Sequence, residues 1–139
     1  VVFVLLFMKD CVFCKIVKGE ISAEKIYDDK NVYAFLDMGP VNPGHTLVIP
    51  KEHYKIMAET PDNILARVFV VAKKLMKVIK KTMKADFVAV SVVGVDVPHF
   101  HVHLVPRYFN DGMANFWPHK KYRDGEIEKV GEKIRKGFG

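Results

Sequence analysis

The stretch at positions 97–108 reads Val-Pro-His-Phe-His-Val-His-Leu-Val-Pro-Arg-Tyr, with histidines at positions 99, 101 and 103. Successive side chains of a β-strand point to opposite faces, so a strand here carries all three imidazoles on one face. The apolar residues between and after them then face a core on the other side: Phe100, Val102 and Leu104. This alternation predicts a strand over His99–Pro106 and a functional site on its histidine face.

The spacing of the histidines limits what that site can be. A strand rises about 3.3 Å per residue, which separates the Cα atoms of His99 and His103 by about 13 Å. One metal ion, with imidazole ligands at about 2.0–2.1 Å, can bind two neighbours of this set but hardly all three. We therefore expect the three rings to have different roles, in preference to a metal-only site or an incidental histidine cluster.

Composition narrows the class of protein. The chain has 139 residues, of which 50% are hydrophobic and 27% charged, as in a single globular domain. Its net charge of +6 suits a phosphate-bearing partner. There is no helix-turn-helix, RNP or zinc-finger-repeat pattern, so nucleic acid is not the expected partner. The two cysteines, Cys11 and Cys14, indicate a reducing compartment, the cytoplasm, and either half of a metal site or a redox pair.

The first seven residues are wholly apolar. This run is shorter than the about 20 residues that span a bilayer, and it lacks the flanks of a signal peptide, so no membrane partner is expected. Met8 follows at once. We interpret residues 1–7 either as an extension from a start assigned upstream of Met8 or from cloning, or as an extra β-segment that covers an edge or a partner. The domain itself is predicted over residues 8–139.

Short apolar runs separated by turn residues predict five strands: 25–28, 32–37, 45–49, 87–93 and 99–106. One long helix begins after Thr60 as N-cap, with Pro61 in its first turn. Its expected apolar stripe is Leu65, Phe69, Ala72, Met76, Ile79 and Met83. A short amphipathic helix follows Asp124, with Ile127, Val130, Ile134 and Phe138 on one face. These elements predict an α+β fold in which one long helix covers an antiparallel sheet.

Lysines crowd the C-terminal half of the long helix: Lys73, Lys77, Lys80, Lys81 and Lys84. They are explained either as a solvated face that complements the helix dipole or as a patch that attracts phosphate.

The order of cysteines and histidines resembles that of the histidine triad (HIT) family, in particular its zinc-containing prokaryotic branch. The resemblance covers most of the chain, from Cys11 to about Trp117. Its segments are Cys-Val-Phe-Cys-Lys-Ile-Val at 11–17, Ala-Phe-Leu-Asp-Met at 34–38, Pro-Gly-His-Thr-Leu-Val-Ile-Pro-Lys-Glu-His at 43–53, and the stretch 97–108. It implies a HIT fold and a small homodimeric hydrolase or transferase that acts at the α-phosphate of a nucleotide.

The resemblance also implies the catalytic residues. The family's nucleophile corresponds to His101, which would form a nucleotidyl-histidine that water resolves. A neutral imidazole can attack phosphorus when its other nitrogen donates a hydrogen bond, often to a backbone carbonyl. His103 and His45 would stabilise phosphate oxygens as charge develops. For His45, a hydrogen-bonded histidine at a strand end is the alternative.

The family's nucleoside pocket corresponds to a further set of residues. Phe13, Ile16 and Ile21 resemble its base-binding wall, although a core position explains them almost as well. Asp37 stands where the family binds the ribose hydroxyls, and Met38 would close the pocket. We expect a purine nucleotide as the substrate.

The loop before the histidines departs from the family pattern. Ser91 and Gly94 match it only approximately, and Asp96 stands where the family often has Ser or Thr near the leaving group. A protonated Asp96 could act as an acid, and an ionised one would repel a polyphosphate. The alternative is that Asp96 only caps a tight turn.

The resemblance to zinc-containing members assigns a structural zinc to Cys11, Cys14, His53 and His99. Such a Cys₂His₂ set is closed, with no open position for catalysis. Free thiols and a redox pair remain the alternatives.

Taken together, these residues predict hydrolysis of nucleoside phosphoramidates or dinucleoside polyphosphates. One alternative is a non-catalytic nucleotide-binding or scaffold protein of the same fold. Another is a metal-dependent hydrolase with zinc at His101 and His103.

Overall fold

A computed structural model describes residues 10–113 and 119–138, so the predicted extension at 1–7 lies outside the described residues. The described chain forms helices α1 (Val12–Val17), α2 (Asp62–Thr82) and α3 (Glu126–Phe138), a 3₁₀ turn (Met57–Glu59), and strands β1 (Lys25–Asp28), β2 (Val32–Leu36), β3 (Thr46–Pro50), β4 (Phe87–Ser91) and β5 (Val102–Arg107). The five strands make one antiparallel sheet in the order β1-β2-β3-β5-β4. The predicted α+β fold is confirmed.

The hairpin at the β1 edge is held by Asp29. Its Oδ1 accepts hydrogen bonds from the backbone N–H groups of Asn31 and Val32, both at 2.8 Å, which closes the turn. Its Oδ2 accepts one from Arg67 of α2 at 2.6 Å. The hairpin is thereby tied to the long helix.

The sheet separates two apolar clusters. One lies under α2 and contains alternate residues of two strands, Val32 and Ala34 of β2 and Val102 and Leu104 of β5, together with Phe100. The other lies under α1 and contains Tyr33, Phe35, Leu47 and Ile49 from the opposite face. The strand period of two therefore sorts the chain as predicted: Phe100, Val102 and Leu104 are buried against α2.

The strand that carries the histidines begins later than predicted. It begins at Val102 instead of His99, because the preceding backbone N–H groups bond elsewhere. The N–H of His99 donates to Val97 at 2.8 Å and that of Phe100 to Tyr54 at 2.6 Å. His99 and His101 therefore lie before the strand, outside the ladder.

The start and the stripe of α2 also differ from the prediction. Pro61 is the N-cap, and the Thr60 hydroxyl donates to the carbonyl of Ile56 at 3.0 Å, so the predicted Thr60 cap is wrong. The buried face is Val68, Val71, Ala72, Leu75 and Ile79. Leu65, Phe69 and Met83 only flank it, because a 21-residue helix with apolar residues over a wide arc allows several stripes and the sheet selects one. The five lysines are exposed.

The C-terminal helix forms where the sequence predicts it. On its apolar face Ile127, Ile134 and Phe138 are exposed, and Val130 is half-buried. None of the helices in the described ranges is long and apolar enough to cross a membrane.

Candidate functional site

His101 leaves one ring nitrogen without a partner. Its Nδ1–H donates to the carbonyl oxygen of His99 at 2.7 Å, so Nε2 carries the lone pair. This Nε2 is buried and is the one buried side-chain nitrogen or oxygen in the described part of the chain without a hydrogen bond. The edge of Phe13 packs perpendicular to the ring, with centroids 5.1 Å apart. With Nδ1 bound to a backbone carbonyl, Nε2 is the ring nitrogen that is available to an electrophile.

His45 and His103 form a hydrogen-bond relay beside it. The backbone N–H of Val41 donates to His45 Nδ1 at 3.1 Å, so the proton of His45 is on Nε2. That Nε2 lies 2.9 Å from His103 Nδ1, to which it donates. His103 therefore carries its own proton on Nε2 and is a donor, with its ring centroid 4.9 Å from that of His101.

Both rings of the relay are held neutral. Burial lowers the pKa of His45, and the charge of Asp37 only partly opposes this. Burial also lowers the pKa of His103, with repulsion from His101 and His45 adding to the effect. Neutral imidazoles can each be donor and acceptor at once, which the relay requires.

A cavity of about 280 Å³ opens onto these rings. Small-ligand pockets are typically about 300–1,000 Å³, so this one is just below that range. His101 and His103 line it, and so do six of the residues that the sequence singled out for substrate: Phe13, Ile16, Ile21, Asp37, Met38 and Asp96. Ser91 and Gly94 are not among its lining residues.

Some lining residues were missed by the sequence reasoning: Val12, Ser22, Ala23, Phe35, Leu47 and Val97. Phe35 and Leu47 could have been found, because they alternate onto the sheet face that packs against α1. Phe13 and Ile16 are buried in that same cluster, so the pocket wall and the core coincide there. Nothing in the sequence signals Ser22.

The two acidic residues of the cavity differ in their contacts. Asp37 accepts a hydrogen bond from the N–H of Gly39 at 2.9 Å, and its other oxygen lies 3.7 Å from His45 Nε2. Asp96 places Oδ1 at 3.4 Å from His101 Nε2 while its side chain stays 58% exposed. Met38 also lines the cavity, and it is 89% exposed.

Asp96 is ionised at neutral pH. Partial burial raises the pKa of its carboxyl, but hydrogen bonds from the backbone N–H groups of Val97 and of Asp96 itself outweigh that effect, and the net shift is downward. The protonated form that a leaving-group acid requires is therefore the minor form.

A second group of side chains, the cysteine–histidine cluster of Cys11, Cys14, His53 and His99, joins α1 to the start of the histidine run. Cys11 Sγ lies 3.3 Å from His99 Nδ1, and Cys14 Sγ lies 3.3 Å from His53 Nδ1. The two Nδ1 atoms are 3.2 Å apart, and all four ligand atoms lie within 4.8 Å of one another. The edges of a zinc tetrahedron with nitrogen and sulfur ligands are about 3.3–3.8 Å, as bond lengths of about 2.0–2.3 Å imply. The four residues fit a tetrahedral metal ion.

The protonation of His99 supports this fit. Its Nε2–H donates to the carbonyl of Pro50 at 2.8 Å, so the Nδ1 lone pair points toward the sulfurs. Burial lowers the pKa of His99 to about 4, which keeps the ring neutral. Burial and the neighbouring Cys11 raise the pKa of Cys14 to about 12, and a bound cation is what would stabilise its thiolate.

Two other groups of possible ligands occur in the described residues, Asp37–His45–His103 and Asp96–His101–His103. His101 Nε2 is free in the second group, but His45 Nδ1 and His103 Nδ1 each accept a hydrogen bond, so neither of those nitrogens offers a lone pair to a metal. The remaining nitrogens of these two rings carry protons. The relay as it stands therefore does not fit the alternative of zinc at His101 and His103.

Comparison with known proteins agrees with this architecture. The family model described as HIT domain matches residues 18–110. An uncharacterized HIT-like protein of Methanocaldococcus jannaschii is 45% identical over 124 residues, covering 86% of this chain and 91% of that protein. An adenosine 5'-monophosphoramidase of Saccharomyces cerevisiae is 36% identical, covering 88% and 77% respectively.

Solved structures match as well. A crystal structure from Streptococcus mutans superposes with a TM-score of 0.87 at 36% identity, covering 95% of this chain and 87% of that one. A Zn-bound histidine triad family protein from Mycobacterium smegmatis superposes with a TM-score of 0.73 at 28% identity, covering 93% and 98%.

Proposed function

The chain belongs to the histidine triad (HIT) family, and from that premise we propose that it is a hydrolase or transferase acting at the α-phosphate of a purine nucleotide. One observation carries the proposal. His101 presents a buried Nε2 without a hydrogen-bond partner, at the wall of a cavity, while its Nδ1–H is bound to the carbonyl of His99. A structural histidine has no need of such an arrangement, whereas a nucleophile does.

The reaction follows from that nitrogen. The Nε2 lone pair attacks the α-phosphorus, the bond from phosphorus to the leaving group breaks, and its electron pair and a proton from solvent go to the leaving group. A water then adds to phosphorus and releases a proton to solvent, and the bond to Nε2 breaks with its electron pair returning to His101, which regenerates the free nitrogen. His103 donates its Nε2–H toward phosphate oxygens, and His45 holds His103 in the tautomer that can do so.

The substrates are nucleoside phosphoramidates or dinucleoside polyphosphates. The name of the yeast relative, an adenosine 5'-monophosphoramidase, favours the first class. Phe13, Ile16 and Ile21 offer an apolar wall for the base. Asp37 would accept hydrogen bonds from the ribose hydroxyls with the oxygen that Gly39 leaves free.

A structural zinc belongs to the same proposal. Cys11, Cys14, His53 and His99 would hold it, and the geometry of their ligand atoms supports this. The ion would cross-link α1 to the segments around His53 and His99 without an open coordination position. The histidine triad family protein from Mycobacterium smegmatis is Zn-bound, which supports zinc as the metal.

We further propose a homodimer in the cytoplasm. Val70 and Val78 of α2 are 46% and 56% exposed, and β4 is an edge strand of the sheet. A second copy packed along α2 and β4 would cover both. The buried, unlinked cysteines suit a reducing compartment.

The test is turnover of a fluorogenic adenosine phosphoramidate, followed by an alkaline denaturing quench, because the P–N bond of the adduct is labile in acid. We expect release of the amine and a mass increase of one adenylyl group on the peptide that contains His101. Binding of AMP without turnover or adduct would refute the enzymatic function and favour the non-catalytic nucleotide-binding protein.

A further inference from the structure

We propose that Asn42 is a positioning residue for the reaction, because its side chain anchors the loop whose backbone sets the tautomer of His45. Asn42 is itself held by Asp111, which is paired with Arg107 at the end of β5. The inference deepens the proposed function and rests on it. Its basis is a chain of hydrogen bonds that leads from the end of β5 to the histidine relay.

The loop before His45 depends on one side chain for its polar anchorage. It runs from Met38 to Gly44 and contains two glycines and two prolines, and Asn42 is its one polar side chain. Five of its seven residues are exposed, so packing holds little of it. Its shape therefore depends on the hydrogen bonds that the side chain of Asn42 makes.

The side chain of Asn42 reaches across to β5. Its Nδ2 group donates to the carbonyl oxygen of Pro106 at 2.9 Å and to Asp111 Oδ2 at 3.3 Å. Both partners are acceptors, so the nitrogen of the amide, and not its oxygen, faces them. Pro106 is fully buried within β5. The amide thus ties an exposed loop to the interior of the sheet.

Asp111 is a fixed acceptor for that amide. Arg107 Nε donates to its Oδ2 at 2.7 Å, and Arg107 Nη2 donates to its Oδ1 at 3.2 Å. The backbone N–H groups of Tyr108 and Met113 donate to it as well, both at 3.1 Å. The side chains of Asp111 and Arg107 are only 6% and 10% exposed. The hydrogen bond from Arg107 is the main reason that the pKa of the Asp111 carboxyl lies well below its usual range.

The anchored loop presents two backbone groups to His45. The N–H of His45 donates to the carbonyl oxygen of Asn42 at 3.1 Å, and the N–H of Val41 donates to His45 Nδ1 at 3.1 Å. The partner of one ring nitrogen decides which nitrogen of a neutral imidazole carries the proton. Without the bond from Val41, the proton of His45 is free to occupy Nδ1. His45 Nε2 then no longer donates to His103, and His103 loses the tautomer that offers Nε2–H to the phosphate.

Substrate binding depends less on this anchor. The apolar wall of the cavity comes in part from Phe13 and Ile16 of α1, on a different element. Asp37 is held by its own backbone N–H, which donates to the carbonyl oxygen of His45 at 2.9 Å. Loss of the Asn42 side chain should therefore lower kcat and change the affinity for AMP much less.

The experiment compares the wild type with Asn42→Ala and Asp111→Asn, using a fluorogenic adenosine phosphoramidate for turnover and calorimetry for AMP. We expect both variants to lower kcat by about tenfold or more while the affinity for AMP changes by about threefold or less. Asn42→Ala removes one half-buried side chain, so it tests the proposal even if Asp111→Asn does not fold.

Asp29→Asn is the matched control. Asp29, like Asp111, accepts hydrogen bonds from two backbone N–H groups and from an arginine, but it does so at the β1 edge of the sheet. Asp29→Asn and Asp111→Asn should lower the thermal midpoint by similar amounts. Only Asp111→Asn should lower kcat.

The tautomer of His45 gives a readout that a merely structural role would not change. Protonated and unprotonated imidazole nitrogens differ widely in their ¹⁵N chemical shifts. In the wild type and in Asp29→Asn we expect an unprotonated Nδ1 and a protonated Nε2 for His45. In Asn42→Ala the two shifts should move toward each other, as expected when both tautomers are populated.

Unchanged ring-nitrogen shifts for His45 in Asn42→Ala would overturn the proposal, whatever its kcat. So would a kcat within about twofold of the wild type. Either result leaves the proposed function intact as long as the wild type turns over its substrate. A wild type without turnover would refute the enzymatic function instead, and the nitrogen shifts would still test the role of Asn42.

Discussion

The cysteine–histidine cluster and the catalytic histidines meet along the short run from His99 to His103, and they differ in the hydrogen bonds that their ring nitrogens make. In the cysteine–histidine cluster, both nitrogens of His99 have a use: one donates to Pro50 and the other faces the sulfurs. Beside it, His101 donates to His99 and keeps a free Nε2. Residue type and burial are the same for both, since each is almost fully buried. The comparison shows that the role of each histidine depends on what its other ring nitrogen faces: the cysteine sulfurs for His99, and the open cavity for His101.

The two groups also differ in how closed they are. The four ligand atoms of the cluster face one another and leave no room for a substrate. The histidine relay opens onto the cavity, with carboxylates of Asp37 and Asp96 at its rim. Substitutions should therefore separate the groups, with loss of stability from the first and loss of rate from the second.

The largest expected effect is on His101. His101→Asn should lower kcat by about 10³-fold or more while AMP affinity stays within a few-fold, because the amide cannot form the adduct and the pocket is otherwise kept. Turnover assays measure kcat, and calorimetry measures the affinity for AMP. His119→Asn, at an exposed histidine, is the control and should change neither. Near-wild-type turnover in His101→Asn would remove the covalent mechanism.

The next effect separates the cluster from the relay. Cys14→Ser should abolish stoichiometric zinc and destabilise the fold by about 3 kcal/mol, of the order seen when a buried polar set loses one partner. For a chain of this size the thermal midpoint falls by roughly 10 °C. The protein that remains folded should keep most of its kcat. Unchanged zinc content, measured by metal analysis, would contradict the assignment.

A smaller effect is expected from the backbone that positions His45. Gly44 has φ +96°, and a Cβ there would stand 2.9 Å from Met83 Cγ and 3.3 Å from Pro106 Cγ. Gly44→Ala should cost about 1–3 kcal/mol through strain and overlap, and lower kcat by displacing His45. Zinc content should not change.

Gly39→Ala is the matched control for that substitution. It lies in the same loop, its φ is not positive, and its added Cβ meets only Asp37 Oδ1 at 3.9 Å. Equal thermal midpoints for the two variants would show that the close approach at Gly44 does not affect the free energy of unfolding.

The smallest effect concerns pH. The pKa of His45 and the pKa of His103 are both lowered by burial, with Asp37 and Asp96 opposing, so the neutral relay persists below the ordinary value of about 6.5. Activity should stay flat from pH 7 to pH 6.5 and fall only at lower pH. The free energy of unfolding should change in the same direction. As pH falls below about 6.5, these histidines take up protons in the unfolded chain before they do so in the folded one, so the stability that the neutral rings contribute above that pH is lost. A kcat/KM profile with an acid limb centred at or above pH 7 would contradict the neutral relay.

Much of the architecture was predictable because it depends on local periodicity. The hairpin of β1 and β2, the long helix and the placement of Phe100, Val102 and Leu104 follow from patterns of two and of 3.6 residues. The predicted Thr60 cap was wrong. The predicted stripe was confirmed at Ala72 and Ile79 but not at Met76, because the buried face of the helix depends on the sheet that packs against it. The hydroxyl of Thr60 found the Ile56 carbonyl instead.

The resemblance to the HIT family is what divided the cysteines and histidines into two groups. The sequence by itself determined that Phe100, Val102 and Leu104 face the core. That result needs only the alternation of side chains along an extended backbone. The tertiary structure decided which nitrogen of each ring is free. The partners that set the tautomers of His99 and His103 are the carbonyl of Pro50 and the ring of His45, 49 and 58 residues away along the chain. It also decided that the Asp96 carboxylate stands next to His101 Nε2, because only the folded loop brings the two together.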